Sequence, residues 1–316
     1  IRDSDLINSS KSTAFSFEIL PPLKGNSIQK VYNVIDKLIE FDPKYINITS
    51  HHSEYIYKTL PDGSFQKVNI RKRPGSVAIA SAIQNKYGIT AVPHIICKGF
   101  TKDETEYALI DLNFLGVYDL LLLRGDVKTL EAGQKTDIYH EHATDLQQQV
   151  NDFNKGIAID GSVFEANETP FSYGMACYPE KHEEAPNMES DIFYLKEKVK
   201  NGADYLVTQM FFDNEKYYAF VDRCRAEGIT VPIIPGIKPI VFKNQLTVLP
   251  KIFRSDIPEP FATELRKCKT DDEAKAVGVE WCIQQCKDLI AHGVPSLHFY
   301  TMMASDSVYK VAKEVY

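Results

Sequence analysis

What this sequence lacks narrows its function first. It has no apolar run approaching the ~20 residues needed to span a bilayer. It has no Cys-x-x-Cys pair; Cys97, Cys177, Cys224, Cys268, Cys282 and Cys286 are scattered, and no second Cys or His pair lies near Cys282 and Cys286 to complete a metal centre. These read as core thiols. The histidines form no metal pattern either: His51-His52 and His140-x-His142 read as loop or helix-start residues, and no metal is expected. Positive charge is not in excess. The formal net charge is −7, which argues against nucleic acid or an anionic membrane as the main partner. No Gly-x-Gly-x-x-Gly occurs, so the usual dinucleotide-binding turn of an open doubly wound sheet is missing. Ile1-Arg2-Asp3-Ser4-Asp5 does not read as a signal peptide, and with reduced thiols the expectation is a cytoplasmic chain.

What is present is ordinary globular composition, 44% hydrophobic and 25% charged over 316 residues, enough for a large core. Short apolar runs read as strands at 14–20, 45–49, 90–95, 120–123, 171–177, 205–209, 229–234 and 296–300. Helical spacing falls between them at 27–40, 76–86, 102–113, 139–154, 187–200, 214–226, 242–252, 259–268 and 272–292, with a closing helix after the last strand. Residues 51–75 read as a long loop and 154–169 as a surface excursion. Strand–helix alternation implies a parallel sheet, and eight such units in one chain are the count of a (β/α)8 TIM barrel with extra helices. A single domain over 1–316 is expected, with a doubly wound sheet as the runner-up.

The apolar run at 120–123 ends in Arg124-Gly125-Asp126. In parallel α/β proteins the carboxyl ends of strands carry the chemistry. Asp126 could equally be a helix N-cap. In a barrel, Glu18, Thr49, His94, Asp126, Tyr178, Gln209 and Tyr300 would share one rim. Glu18 is the sharpest candidate. It stands among Phe15, Phe17, Ile19 and Leu20 and before Pro21-Pro22, where burial raises a carboxyl's proton affinity and suits it to general-acid work. The alternative is a glutamate ion-paired with a barrel lysine. Tyr178-Pro179-Glu180-Lys181-His182 brings aromatic and imidazole groups that could line a ring-shaped cofactor. Arg71-Lys72-Arg73 is either an anion site at the next helix or a basic surface run.

These residues also carry a family resemblance. Phe15-Ser16-Phe17-Glu18-Ile19-Leu20-Pro21-Pro22, Pro93-His94-Ile95-Ile96-Cys97, Leu123-Arg124-Gly125-Asp126 and Tyr178-Pro179-Glu180-x-His182 resemble motifs of methylenetetrahydrofolate reductase. So do Thr208-Gln209-x-Phe211-Phe212-Asp213, Ile234-Pro235-Gly236-Ile237 and His298-Phe299-Tyr300-Thr301, in the family's order. The resemblance, to the bacterial-type catalytic barrel alone, implies noncovalent FAD. It also implies NADH or NADPH as reductant, ping-pong hydride transfer through flavin N5, and 5,10-methylenetetrahydrofolate as acceptor, in one-carbon metabolism leading to methionine. It assigns catalytic roles to Glu18, the general acid, and Asp126, the carboxylate beside the flavin. Gln209, Tyr300 and Asp126 match substrate-binding positions. Thr49, His94, Arg124, Gly125, Asp126, Tyr139, Tyr178, His182, Asp191 and Lys198 match flavin-contacting ones. Arg124 and Lys198 suit a pyrophosphate.

Three positions depart from the family pattern. Ala304 stands where the family has an arginine thought to hold folate, Tyr194 where it often has asparagine, and Ser50-His51 where it often has Tyr-Gly. The expectation is a catalytic barrel without a regulatory domain, and so no inhibition by adenosylmethionine through one. The expected partners are the folate and the nicotinamide, with no nucleic acid or membrane; a homo-oligomer stays open. Two other readings remain: a flavin barrel acting on another substrate, in the manner of proline dehydrogenase, and a folate- or FAD-binding subunit of a larger complex.

Overall fold

The computed structural model describes residues 3–8, 12–125, 137–182, 185–302 and 304–316. Its strands are β1 (Ala14–Ile19), β2 (Tyr45–Ile48), β3 (Glu54–Thr59), β4 (Phe65–Ile70), β5 (Thr90–Ile96), β6 (Asp119–Leu123), β7 (Ser172–Cys177), β8 (Tyr205–Thr208), β9 (Ile233–Ile234), β10 (Gly236–Ile237) and β11 (Ser296–Tyr300). Its helices are α1 (Asp3–Asn8), α2 (Gln29–Leu38), α3 (Ser76–Tyr87), α4 (Lys102–Leu115), α5 (Ala143–Asn154), α6 (Met188–Lys200), α7 (Asn214–Ala226), α8 (Gln245–Phe253), α9 (Glu259–Lys267), α10 (Asp271–Ala291) and α11 (Ser305–Val315). The alternation of parallel strands with helices is the α/β class of the TIM barrel, as the sequence predicts. Among the described residues no helix is long and apolar enough to cross a membrane.

The chain forms two compact units. The first comprises Ile1–Ile19, Val34–Ile46 and Ser172–Tyr316. Within it β11 lies between β10 and β1, and β7, β8 and β9 are successive parallel neighbours. All of β1 is buried, as a strand covered on both faces must be. Phe15, Phe17 and Phe299 lie at its centre, with the Phe15 and Phe299 rings 5.5 Å apart. The extra helices build a further apolar cluster from Met210, Phe212, Ile240, Leu249, Phe261 and Leu265. Trp281 stacks on Phe261 at 4.6 Å and donates its Nε1–H to the Phe212 carbonyl at 3.0 Å, so its polar edge is satisfied while its rings fill the cluster.

One buried polar contact crosses the centre of this unit. Ser16 Oγ and His298 Nδ1 are 2.8 Å apart, joining β1 to β11. His298 Nε2 is buried with no partner among the described residues. A buried imidazole in that setting is best neutral, donating from Nδ1, and burial pulls its pKa down to about 3.

The second unit comprises Leu20–Asn33 and Asn47–Phe171. Parallel β5 and β6 are paired from His94↔Leu121 to Ile96↔Leu123, and α3 and α4 pack their apolar faces, Ile79 and Ile83 with Leu109 and Leu112, into the core. Thr101 caps α4: its hydroxyl accepts the Glu104 N–H at 3.0 Å, and the Glu104 carboxylate accepts the Thr101 N–H at 3.1 Å.

Three sequence-based boundaries move. The 51–75 loop contains the antiparallel hairpin β3–β4. Its turn is held by Asp62, whose carboxylate accepts the Ser64 N–H at 2.9 Å. The helix expected from Tyr139 starts at Ala143, because the Asp145 carboxylate accepts the His142 N–H at 3.0 Å and fixes the cap there; Tyr139 instead bridges to Thr101. The strand expected at 229–234 shrinks to β9, and a separate short β10 follows beyond Pro235, since proline cannot donate to the ladder.

His298 generates a pH prediction. Its ring takes up a proton near pH 6.5 when unfolded but only near pH 3 when folded, so its contribution to stability is complete above ~6.5 and drains as pH falls through that window. The urea midpoint should therefore drop between pH 7.5 and 5, and His298→Gln should flatten that drop. An unchanged slope in the variant would show that the pH dependence comes from other groups.

Candidate functional site

In the first unit, the parallel pairing of β1 with β11 sets Glu18 level with Tyr300. Glu18 is 8% exposed, and its carbonyl accepts a hydrogen bond from the Thr301 hydroxyl. The Tyr300 hydroxyl donates to the Thr208 carbonyl at 2.6 Å. Burial first, and the Glu18 charge second, push that phenol well above its ordinary pKa. The Tyr300 ring lies against the backbone at Gly236: a Cβ there would fall on the Thr208 carbonyl oxygen and the Tyr300 ring. This is the physical reason for a glycine after Pro235.

Gln209 follows β8. Its N–H donates to the Cys177 carbonyl at 2.9 Å, and its own Oε1 accepts the Met210 N–H at 3.0 Å. Tyr178 follows β7 and meets the His182 ring edge-on at 4.5 Å. The turn between them runs through Lys181, whose φ of 77° is uncommon for a side chain with a Cβ. That conformation is held by the Lys181 ammonium donating to the Ala185 carbonyl at 2.7 Å. The His182 N–H donates to the Asp191 carboxylate at 2.7 Å, and Lys198, also on α6, donates to the Ala176 carbonyl at 3.3 Å. Tyr178, His182 and Asp191 are thus linked at the exit of β7, and Lys198 reaches the same strand end through the Ala176 carbonyl. Glu180 of the same motif is structural: it accepts from Lys216 at 2.9 Å and from the Asp256 N–H at 3.1 Å.

In the second unit, His94 is buried on β5, with Asn47 Nδ2 3.2 Å from its Nε2. An amide nitrogen only donates, so that imidazole nitrogen accepts and is unprotonated. Asn47 Oδ1 is buried with no partner among the described residues. Thr49 Oγ1 lies 2.8 Å from His51 Nε2. Arg124 donates from Nε to the Glu141 carbonyl at 3.1 Å, and Gly125 has φ of 92°, which favours glycine. Tyr139 is placed beside Thr101, and burial, then Tyr55 and Glu104, raise its pKa. Asp126 lies outside the described residues. A cavity of about 310 Å³ opens in this unit, lined among others by Ser50, His51, Arg71, Arg73, His94 and Asp103. Burial, then the Arg73 and His52 charges, lower the His51 pKa.

Two buried polar residues escape sequence reasoning. Asn47 is hidden in an otherwise apolar strand. Lys238 is 7% exposed and follows β10, in the run Gly236-Ile237-Lys238-Pro239-Ile240-Val241. Its signal is a single cation in apolar company at a strand's carboxyl end.

The family description of methylenetetrahydrofolate reductase matches residues 4–316. A probable methylenetetrahydrofolate reductase (NADPH) of Caenorhabditis elegans is 30% identical over 308 residues, covering 96% of this chain and 42% of its own. Methylenetetrahydrofolate reductase (NADH) 1 of Arabidopsis thaliana is 29% identical over 306 residues, covering 93% and 47%. The 5,10-methylenetetrahydrofolate reductase of Escherichia coli (strain K12) is 30% identical over 297 residues, covering 94% and 88%. The chain therefore spans about half the length of the nematode and plant relatives. Among solved structures, an uncharacterized protein from Clostridium thermocellum that binds two copies of 5-methyl-5,6,7,8-tetrahydrofolic acid has a TM-score of 0.58 at 15% identity, with 98% of both chains covered. That likeness is one of fold. The match over residues 4–316 is one of lineage: this chain belongs to the methylenetetrahydrofolate reductase family.

Proposed function

We propose that this chain reduces 5,10-methylenetetrahydrofolate to 5-methyltetrahydrofolate with NADH or NADPH, using noncovalently bound FAD. The observation that carries the reading is Glu18: a carboxyl buried at a strand end, level with Tyr300, in a chain of this family.

The residues present fit a flavin nucleotide. Asn47 Oδ1 is a buried acceptor awaiting a donor, and a flavin offers ring N–H and ribityl O–H groups. Lys198 brings positive charge near the exit of β7, where Tyr178 and His182 present their rings. Thr49, His94, Arg124, Gly125 and Tyr139, with Asp126, are the second unit's residues assigned to the cofactor; Tyr178, His182, Asp191 and Lys198 are the first unit's. A hydride relay from nicotinamide to the folate methylene carbon is the chemistry bound FAD supplies. Every other task falls to the chain. Glu18 donates a proton to the folate nitrogen as the imidazolidine ring opens, so that the carbon becomes an electrophilic iminium. A carboxyl held at a strand's carboxyl end can carry the proton that this step needs. Gln209 and Tyr300 hold the folate, and Gln209 meets the nicotinamide in the other half-reaction. Asp126 supplies a fixed negative charge; its assignment rests on the sequence motif alone.

The purified chain, reconstituted with FAD, should be yellow, bleach anaerobically with NADH or NADPH, and recover its colour on adding methylenetetrahydrofolate. Failure to take up FAD sinks the proposal. Glu18→Gln should leave bleaching nearly intact and slow recolouring by about 10²- to 10⁴-fold, the usual worth of a positioned acid. Stopped-flow absorbance of the two half-reactions checks this, and equal loss in both would remove Glu18 from the acid role. Asp126→Asn should slow recolouring and shift the flavin potential while the circular dichroism spectrum stays unchanged.

A further inference from the structure

The acid role leaves Lys238 unexplained. A buried ammonium is costly unless something compensates its charge. The register shows what stands opposite. β10 pairs with β11 as Gly236↔His298 and Ile237↔Phe299. One step further sets Lys238 level with Tyr300, and β1 sets Glu18 level with Tyr300 from the other side. Gly236, His298 and Ser16 form one observed row across three adjacent strands; Lys238 directly follows β10, and continuing its register by one residue extends the next row, Tyr300 and Glu18, to Lys238. Strands lie about 4.8 Å apart, which puts the Lys238 and Glu18 backbones roughly 10 Å apart, within the combined reach of the two side chains. Burial lowers the Lys238 pKa, and the Glu18 charge opposes that shift.

We propose that Lys238 is a positioning residue acting through Glu18: its ammonium is the counter-ion that fixes the carboxyl and sets how tightly it holds its proton. This rests on the reading of Glu18 as the folate acid and deepens it. Burial alone would make the carboxyl hold its proton too tightly to be an efficient donor, whereas a facing cation brings its proton affinity back toward the working pH. The other titratable groups of this unit around the row are Tyr45 on β2, Cys177 and Tyr178 at the end of β7, and His298 and Tyr300 on β11. Burial pushes Cys177 and Tyr300 up and His298 down, so these three are neutral near pH 7 and leave the tuning to Lys238.

The test reads Glu18 directly. Infrared spectra of the chain minus those of Glu18→Gln isolate the Glu18 carboxyl stretch across a pH titration. In a Lys238→Met background the carboxyl midpoint should rise by about 1 to 3 pH units, because losing an opposite charge favours the protonated form. Lys238→Arg, which keeps the charge, should leave it near or below the wild-type value. A second measurement needs no lysine variant: nitrogen-15 lysine NMR should show the Lys238 midpoint falling further in Glu18→Gln. An unchanged Glu18 midpoint in Lys238→Met, or an unchanged Lys238 midpoint in Glu18→Gln, overturns the proposal. In the loaded enzyme, the alkaline limb of folate reduction should move up with the infrared midpoint. If the midpoint moves but wild type reduces no folate, the pair stands and the folate reading fails.

Discussion

The register of β1 on β11 is the constraint on which the first unit depends. Side chains alternate along a strand, so a slip of one residue would swap the two buried faces of β1, setting Phe15 and Phe17 where Ser16 and Glu18 now stand and the two polar groups among the aromatic rings. Apolar packing of the Phe15 and Phe299 rings opposes such a slip. The Ser16–His298 contact opposes it more specifically, since either group would be left buried without its partner. The same register sets Glu18 level with Tyr300, so the stability of the strand pair and the placement of the acid are one arrangement.

Much of this was legible in the sequence because strands covered on both faces leave an unmistakable trace. The runs at 14–20, 120–123 and 205–209 reappear as β1, β6 and β8 within a residue or two at each end. The caps follow from local chemistry, at Thr101 and at Asn187, whose side chain accepts the Ser190 N–H at 2.9 Å. The hairpin β3–β4 was not legible. Its residues Tyr55, Ile56, Tyr57 and Phe65 are exposed, so burial imposes no apolar–polar alternation on it, and its turn signal sat inside what read as a loop.

The site divides the same way. Glu18, Tyr300 and the Tyr178–His182 turn could be found because motif and strand end coincide. Lys238 and Asn47 could not, because one polar residue in an apolar run has no pattern of its own; only tertiary context separates a buried lysine from one whose head reaches solvent. Gln209 shows a subtler limit. The sequence places it correctly after β8, but its Oε1 accepts the adjacent Met210 N–H, so engaging a ligand through that oxygen means sharing or breaking a local bond.

Ala304 gives the row its larger meaning. The family pattern expects an arginine there, whereas this chain has a buried alanine whose carbonyl accepts the Val308 N–H at 2.9 Å at the start of α11. The buried cation two strands from Glu18 is Lys238, just past β10. The two kinds of cation are not equivalent. A guanidinium stays charged at any pH the protein meets, whereas a buried amine can lose its proton. A chain that relies on Lys238 therefore couples the state of its cation to that of its acid: as Glu18 gains a proton, the reason for Lys238 to keep its own weakens. With Lys238 as the counter-ion proposed above, the acid strength available to the substrate belongs to the pair rather than to Glu18 alone.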